Sequence, residues 1–469
     1  MQHDLGQATS ILPVDAARFS GDIPVLIIGA GGCGLTAALS AHEHGADVLL
    51  VERDRSALGS TAMSTGLIPA AGTRFQKEKG IADSPALFAA DMMAKTHGET
   101  DAVAVAALAD EAAATVEWLA DVCGAPLSLV DSYRYPGHSR MRMHGTPNRT
   151  GSELMGALHN AIAGAGIDIV TDAPVTHIFA DGAGRVAGAR ITRDDGSTED
   201  IGCGALILAC GGFGGDKALV ERMIPEIVDA PFFGHPGNKG DALRWGLALG
   251  AATGDLQSYQ GHGGLAYGRG IPILWAHIVL GGFQVNSQGS RFSNENRGYS
   301  EQAVDIVAQP GGFAWSLFDE RIHRMMLEFD DYHDALRADC VLTADSVEDL
   351  IRMTGLPDAV RQTLADVADM AAGRKQDPFG RDFSKTPPLG WPLRTVKVTA
   401  ALFHTQGGLI VDAEGRVMRA DRSPFPNLFA GGGAARGVSG PAAWGYLAGN
   451  GLLTATTYGR LAGRAAARG

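Results

Sequence analysis

The 469-residue sequence is poor in the residue types that build several kinds of site. Its five cysteines, Cys33, Cys123, Cys203, Cys210 and Cys340, are scattered and never form a C-x-x-C pair. That spacing carries no signature of a disulfide framework, a zinc site, iron–sulfur ligation or C-x-x-C-H haem attachment. The thiols read as small apolar residues in a reducing compartment. Positive charge is also scarce. The 39 Lys and Arg against 52 Asp and Glu leave a net charge of −13, with no basic tract to grip nucleic acid or anionic lipid. No apolar run reaches membrane-spanning length, and the first twenty residues lack the hydrophobic stretch of a secretory leader. No internal repeat or low-complexity linker is present. The expectation is a cytoplasmic enzyme with small-molecule partners, without nucleic-acid contact or membrane insertion.

Glycine is abundant instead, with 64 positions beside 45% apolar residues. The pattern is that of an α/β enzyme with many tight backbone approaches. The apolar run Pro24–Ile28 stops at "GAGGCG" (residues 29–34), after which Leu35, Ala38, Leu39 and Ala41 recur at helical intervals. A second run, Asp47–Val51, ends in Glu52. This is the strand, turn, helix, strand order of a dinucleotide-binding unit. Gly29 permits the turn, Gly31 lets backbone approach a pyrophosphate, and Gly34 lets helix and strand close up. Glu52 stands where a carboxylate accepts from ribose hydroxyls.

Two more glycine clusters, "ALILACGGFGG" (205–215, containing Gly211) and "NLFAGGGAARG" (427–437), follow apolar strands. Strand patterns cover residues 172–181 and 185–191, and helical patterns cover 85–122 and 151–164. From about Gly263 to Pro392 the texture shifts toward Arg, Asp, Met and Pro, with a helical stretch over residues 346–372. The expected organisation is a flexible tail over 1–20, a nucleotide-binding domain over 21–262 and 393–469, and an inserted domain over 263–392.

The ordered motifs "VLIIGAGGCGLTAALSAHEHGADVLLVER", "GSTAMSTGLI", "LILACGGFGGD", "GNKGDALRWGLALGA", "HTQGGLIVDAEGRV" and "NLFAGGGAARG" span most of the chain. With them the sequence resembles the fumarate reductase and succinate dehydrogenase flavoprotein superfamily, which includes the 3-ketosteroid Δ1-dehydrogenases. The resemblance implies a Rossmann-like, parallel-sheet FAD-binding domain interrupted by an α+β capping domain, with substrate held between the two. It assigns to FAD the positions Gly29, Gly31, Gly34, Glu52, Ser60, Thr61, Ser64, Thr65, Gly66, Val175, Gly211, Gly240, Asp241, Gly432, Gly449 and Leu452. The turn Gly449–Leu452 would meet the pyrimidine end of the flavin. The segment that carries a flavin-linked histidine in succinate dehydrogenases has none here, which implies non-covalent FAD.

The same resemblance places His262 and His404 at substrate-binding histidines, although either residue alone also reads as a satisfied structural histidine. Tyr299, in "RFSNENRGYSEQA", falls where fumarate reductases have a proton-donating arginine and ketosteroid dehydrogenases a proton-abstracting tyrosine. The clamping histidine and arginine of fumarate reductases correspond to Ser439 and about Ala443, so a dicarboxylate clamp is incomplete. Arg436 reads either as the anchor of one carboxylate or as the partner of an acid in the inserted domain. Arg297 is the nearest cation to Tyr299 in sequence. Tyr446 and Trp444 would shape the pocket, with core packing the alternative for Trp444.

The resulting expectation is a dehydrogenase that desaturates a small ketone, cyclic keto-acid or steroid-like substrate beside its carbonyl. Tyr299 would take the α-proton, and a hydride would pass to flavin N5. Two alternatives stand beside it, an ene-reductase acting on an enoate and an electron-transfer subunit of a larger complex. Electrons would leave to oxygen or to a soluble or protein acceptor, and the oligomeric state is open.

Overall fold

The structure is a computed structural model and describes residues 10–469. The chain forms two compact units. The first takes the chain up to Ile224, Gly234–Tyr259 and His404–Gly469; the second takes Pro225–Phe233 and Gln260–Phe403. These borders differ from the expected 263–392 because the insert's edges are strands. Phe233 N–H donates to Leu402 O (2.7 Å) and Leu402 N–H to Pro231 O (3.0 Å), which ties the short outlying segment to the second unit.

A nine-stranded sheet organises the first unit. At its centre Thr198–Leu208, Phe19–Ile28, Val48–Val51 and Asp168–Val170 run parallel, and Pro424–Ala430 joins Thr198–Leu208 in parallel. The continuous apolar run Val25–Ile28 at the end of Phe19–Ile28 follows from burial on both faces. Val25 and Ile27 enter the core shared with helices Gly32–Glu43, Ala102–Asp121 and Asn450–Ala466. Leu26 and Ile28 face the opposite core with Leu206, Leu208 and Trp245. Side chains that alternate across a strand need apolar types at every position when both sides are covered.

Two sequence expectations change here. Residues 11–13, assigned to a flexible tail, form the strand Ile11–Pro13 parallel to Val175–Ala180; residues 1–9 of that tail lie outside the described residues. The helical pattern over 346–372 is two helices, Val347–Thr354 and Ala359–Ala371. Gly355, at φ +71°, caps the first, and Pro357 follows. A left-handed glycine with proline beyond it is a strong helix stop.

In the second unit a five-stranded sheet runs in the order Tyr259–Ala266, Leu393–Thr405, Phe313–Asp319, Phe283–Val285, with Leu342–Ala344 also on Leu393–Thr405. Phe283, Val285, Leu317, Leu350 and Val360 fill the core beneath the helices. Among the described residues no helix is long and apolar enough to cross a membrane.

Candidate functional site

In the first unit the glycine turn follows directly from the strand ahead of it. Gly29 leaves Phe19–Ile28 at φ +101°, and its N–H donates to Val51 O (2.8 Å). A Cβ at Gly34 would sit 1.9 Å from Gly29 O, so the first turn of Gly32–Glu43 closes on the strand end only with glycine there. At Gly31, by contrast, a Cβ would meet only Gly59 Cα at 3.9 Å. The backbone there is open to a ligand, at the N-terminus of a helix that favours phosphate. Glu52 accepts from Ala30 N–H (2.8 Å) through Oε2 and from Asp54 N–H (3.1 Å) through Oε1, and retains lone pairs for ribose hydroxyls. Its backbone carbonyl accepts from Ala173 N–H (2.9 Å), two residues before Val175.

Of the other positions expected to contact FAD, Thr61 and Gly432 adjoin this turn. Thr61 Oγ1 accepts from Gly32 N–H (3.3 Å), while Ser64 Oγ donates to Thr61 O (2.7 Å) and accepts from Gly66 N–H (3.1 Å), with Thr65 between them. Ser60 Oγ accepts from His235 N–H (2.9 Å) and from Asn238 Nδ2 (3.0 Å). Asn238 also lies where a Cβ of Gly211 would fall. Gly240 donates to Gly212 O (3.0 Å) and caps the helix opened by Asp241, whose carboxyl burial pushes up. Gly432 lies against Cys33 and Ala455, and Gly449 caps the helix Asn450–Ala466 that contains Leu452. The glycine cradle and its polar rim fit FAD. Gly34→Ala is expected to yield protein that purifies with little or no flavin, measured as the 450 nm to 280 nm absorbance ratio. A flavin content equal to that of the unaltered protein would refute the close-packing argument.

His404 belongs to this unit. Its Nδ1 takes the amide of Gln406 (3.2 Å), and its ring lies edge-on to Tyr446 (5.6 Å). Ser439 Oγ donates to Gln406 Oε1 (2.7 Å) and accepts from Asn450 Nδ2 (3.2 Å). Burial pushes His404 down to about 4, so this group of imidazole, amides and hydroxyl is neutral. Arg436 adds no free charge to it. Its Nε donates to Asp255 (2.7 Å) and its Nη1 to Asp101 (3.4 Å), so two acids of the same unit already hold the guanidinium expected to anchor a carboxylate. Trp444 stacks on His97 (4.6 Å, 19°).

In the second unit His262, on Tyr259–Ala266, and Tyr299, first residue of the helix Tyr299–Val307, lie with ring centroids 5.2 Å apart. His262 also stacks on Phe403 (4.9 Å, 9°) and meets Trp275 edge-on (5.8 Å); Trp275 meets Tyr299 at 6.1 Å. His262 Nδ1 accepts from Gly264 N–H (3.1 Å). Burial, with His277 nearby, pushes its pKa down to about 3. A neutral ring with Nδ1 occupied as acceptor carries its hydrogen on Nε2.

Buried amides fix strand and helix in this register. Gln302 Nε2 donates to Gln284 Oε1 (2.9 Å), Gln284 Nε2 to Gly263 O (2.8 Å), Ser293 Oγ to Gln302 Oε1 (2.7 Å), and Gly261 N–H to Ser300 Oγ (2.9 Å). Ahead of Tyr299, Glu295 is 1% exposed and takes Arg291 (2.7 Å) and Arg381 (3.1 Å). Burial opposes its charge, but the two guanidiniums hold the carboxyl below its ordinary range. Arg297, the expected neighbour of Tyr299, is exposed and pairs with Asp305. The sequence reading missed Trp275, Phe403 and the glutamine pair. An aromatic-histidine run, "LWAH", was the available signal for Trp275, whereas nothing local marks two glutamines as partners.

A family model described as an FAD binding domain matches residues 24–452. The chain is 29% identical over 458 residues to the NADH:fumarate oxidoreductase of Klebsiella pneumoniae, covering 97% of this chain but 48% of that protein. It therefore spans about half the length of that relative. The open conformation of a flavocytochrome c3 fumarate reductase superposes with a TM-score of 0.81 at 28% identity, covering 97% of this chain and 79% of the other. The 3-ketosteroid Δ1-dehydrogenase of Sterolibacterium denitrificans gives 0.78 at 21% identity, covering 95% and 99%, which is a likeness of fold.

Proposed function

The chain belongs to the FAD-binding domain family, and from that premise we propose that this flavoprotein oxidoreductase acts on the carbon–carbon bond beside the carbonyl of an uncharged ketone, in the direction of desaturation. The observation that carries the reading is the neutrality of both polar groups. His262 stands among Tyr299, Trp275 and Phe403, and His404 among Gln406, Ser439 and Asn450, while Arg436 is neutralised by Asp255 and Asp101. A dicarboxylate needs cations to replace its water. A flat ketone needs an apolar aromatic wall and one or two donors.

FAD, when bound, supplies the two-electron acceptor for a hydride from the β-carbon. The protein's part is proton and charge management. His262 Nε2–H donates to the carbonyl oxygen as enolate charge develops there, and Tyr299, as the phenolate, takes the α-proton and becomes the neutral phenol. Breaking one C–H as a proton and the other as a hydride leaves the enone, with atoms and electrons balanced. Reduction of an enoate is the second reading, favoured by the fumarate reductase and fumarate oxidoreductase names of the relatives.

The test is anaerobic mixing of oxidised holoprotein with saturated cyclic ketones and, separately, with succinate. Loss of flavin absorbance with ketones and none with succinate is expected. Bleaching by succinate, or reoxidation of reduced protein by fumarate faster than by any enone, would overturn the assignment.

A further inference from the structure

In the first unit a cluster of charge is buried among residues to which no FAD contact is assigned. Arg142, 1% exposed, donates through Nε (2.9 Å) and Nη2 (2.9 Å) to both oxygens of Asp83, and through Nη1 to Asp91. Asp91 also takes Ser139 N–H (2.7 Å) and Oγ (2.8 Å), and Asp83 takes Gln76 Nε2 (2.8 Å). The guanidinium lies 4.7 Å over the Phe88 ring. Burying such a cluster costs desolvation that its own pairing only partly returns, so it is a poor source of stability. Its use lies in what it points at.

It points at His138. The imidazole stacks on Phe88 (6.0 Å, 29°), accepts from Arg142 Nη1 at Nδ1 (3.4 Å), and donates from Nε2 to Ala448 O (3.0 Å). One protonation state satisfies both contacts, the neutral ring with its hydrogen on Nε2. Burial and the charge of Arg142 together push His138 down to about 4, which keeps that state across the working range. The donor is polarised by the cation behind it, which strengthens the bond to Ala448.

Ala448 is the residue before Gly449, the φ +84° cap of the 17-residue helix Asn450–Ala466. The same stretch grips this turn by shape. A Cβ on Gly449 would lie 2.6 Å from Pro69 Cδ and 3.3 Å from Met143 Sδ, and Leu447 Cδ1 fills the place of a Cβ on Gly137 at 2.6 Å. In the first turn of the helix, the buried Asn450 Oδ1 has no hydrogen-bond partner.

We propose that His138, backed by Arg142, is a positioning residue that sets the N-terminal turn of Asn450–Ala466 and thereby tunes how strongly the protein favours reduced over oxidised FAD. The proposal rests on the reading that Gly449–Leu452 meets the flavin's pyrimidine end. Reduction adds negative charge to that end, and the amides and half-charge of a helix N-terminus stabilise it only when held in place. A turn that relaxes loses that preference while the glycine cradle around Gly29–Gly34 still retains the cofactor.

The test measures the reduction potential and visible spectrum of bound FAD in holoprotein carrying His138→Phe, His138→Gln or Leu452→Phe. His138→Phe preserves the stack on Phe88 and removes the donor. It is expected to weaken binding of reduced FAD relative to oxidised by about tenfold, which for two electrons lowers the potential by about 30 mV. His138→Gln, which retains an N–H, is expected to hold the potential near its original value. If His138→Phe does not accumulate folded, His138→Leu carries the same comparison. An unchanged potential in the Phe or Leu variant, or equal shifts with and without the donor, overturns the proposal. If Leu452→Phe still alters spectrum and potential, only the role of His138 fails; if it alters neither, the placement of the flavin at this turn fails with it.

Discussion

Tyr299→Phe is expected to slow flavin reduction by substrate by roughly 100- to 10,000-fold, the range of a lost general base, or about 2.7–5.5 kcal/mol of barrier. FAD content and visible spectrum are expected to stay as they are. The substitution removes one oxygen. The phenyl ring keeps its place beside His262 at 5.2 Å and Trp275 at 6.1 Å, and the helix it opens remains tied through Ser300 and Gln302. A rate loss with those anchors intact is therefore a loss of proton transfer rather than of architecture. Anaerobic stopped-flow mixing reads it directly, and a solvent isotope effect present in the unaltered enzyme should change in the variant. If the Phe variant reduces its flavin at the original rate, Tyr299 is a packing residue and the desaturation mechanism loses its base. His262→Gln gives a useful contrast. Glutamine restores an N–H but not the ring stacked on Phe403, so part of the rate should return relative to His262→Ala.

How much of this was legible in the sequence depends on the range of the contacts involved. The glycine turn was readable because its cause is local: a doubly buried strand, a helix that must start at once, and Gly34 beneath Gly29 O all lie within residues 24–43. The fold followed from that turn and from two further strand ends rich in glycine. The break at Gly355 was legible in principle, as glycine then proline, but the charged pattern of 346–372 runs through it in helical register. Long-range pairing was not legible. Arg436 finds Asp255 across 181 positions and Asp101 across 335, and a guanidinium offers no local sign of which acid will hold it. The same holds for His138, whose acceptor Ala448 O lies 310 positions away. Tyr299 and His262 were singled out by the family resemblance alone. Their meeting depends on Gln284, Gln302 and Ser293, polar residues that look like surface until they pair in a dry interior.

The neutral state of the buried histidines has a consequence beyond the reaction. His138, His144, His262 and His277 are each at most 6% exposed, and burial pushes them down to about 4, 4, 3 and 4. The unfolded chain, with ordinary histidines near 6.5, binds more protons than the folded one between those values and about 6.5. Stability is then fully present above about pH 6.5 and is lost as pH falls below it. At pH 5.5 each group costs about 1.4 kcal/mol, on the order of 5 kcal/mol for the four, against the ~5–15 kcal/mol typical of a whole fold. The melting temperature is therefore expected to hold from pH 8 to 6.5 and to drop steeply by pH 5.5, well above the range where Asp91 and Glu295, held low by Arg142, Arg291 and Arg381, begin to protonate. Thermal melts at fixed ionic strength across that range check it, and a flat profile down to pH 5 would refute it. His144→Gln should flatten the slope, since it deletes one titrating group, which bonds Thr73 Oγ1 (2.9 Å) and Ile68 O (3.3 Å) and lies against Phe75 (5.5 Å). Two of the four histidines lie in each unit, so both units should lose stability in the same window. The reaction should show no histidine inflection there, because His262 works as the neutral Nε2–H donor that the fold already requires.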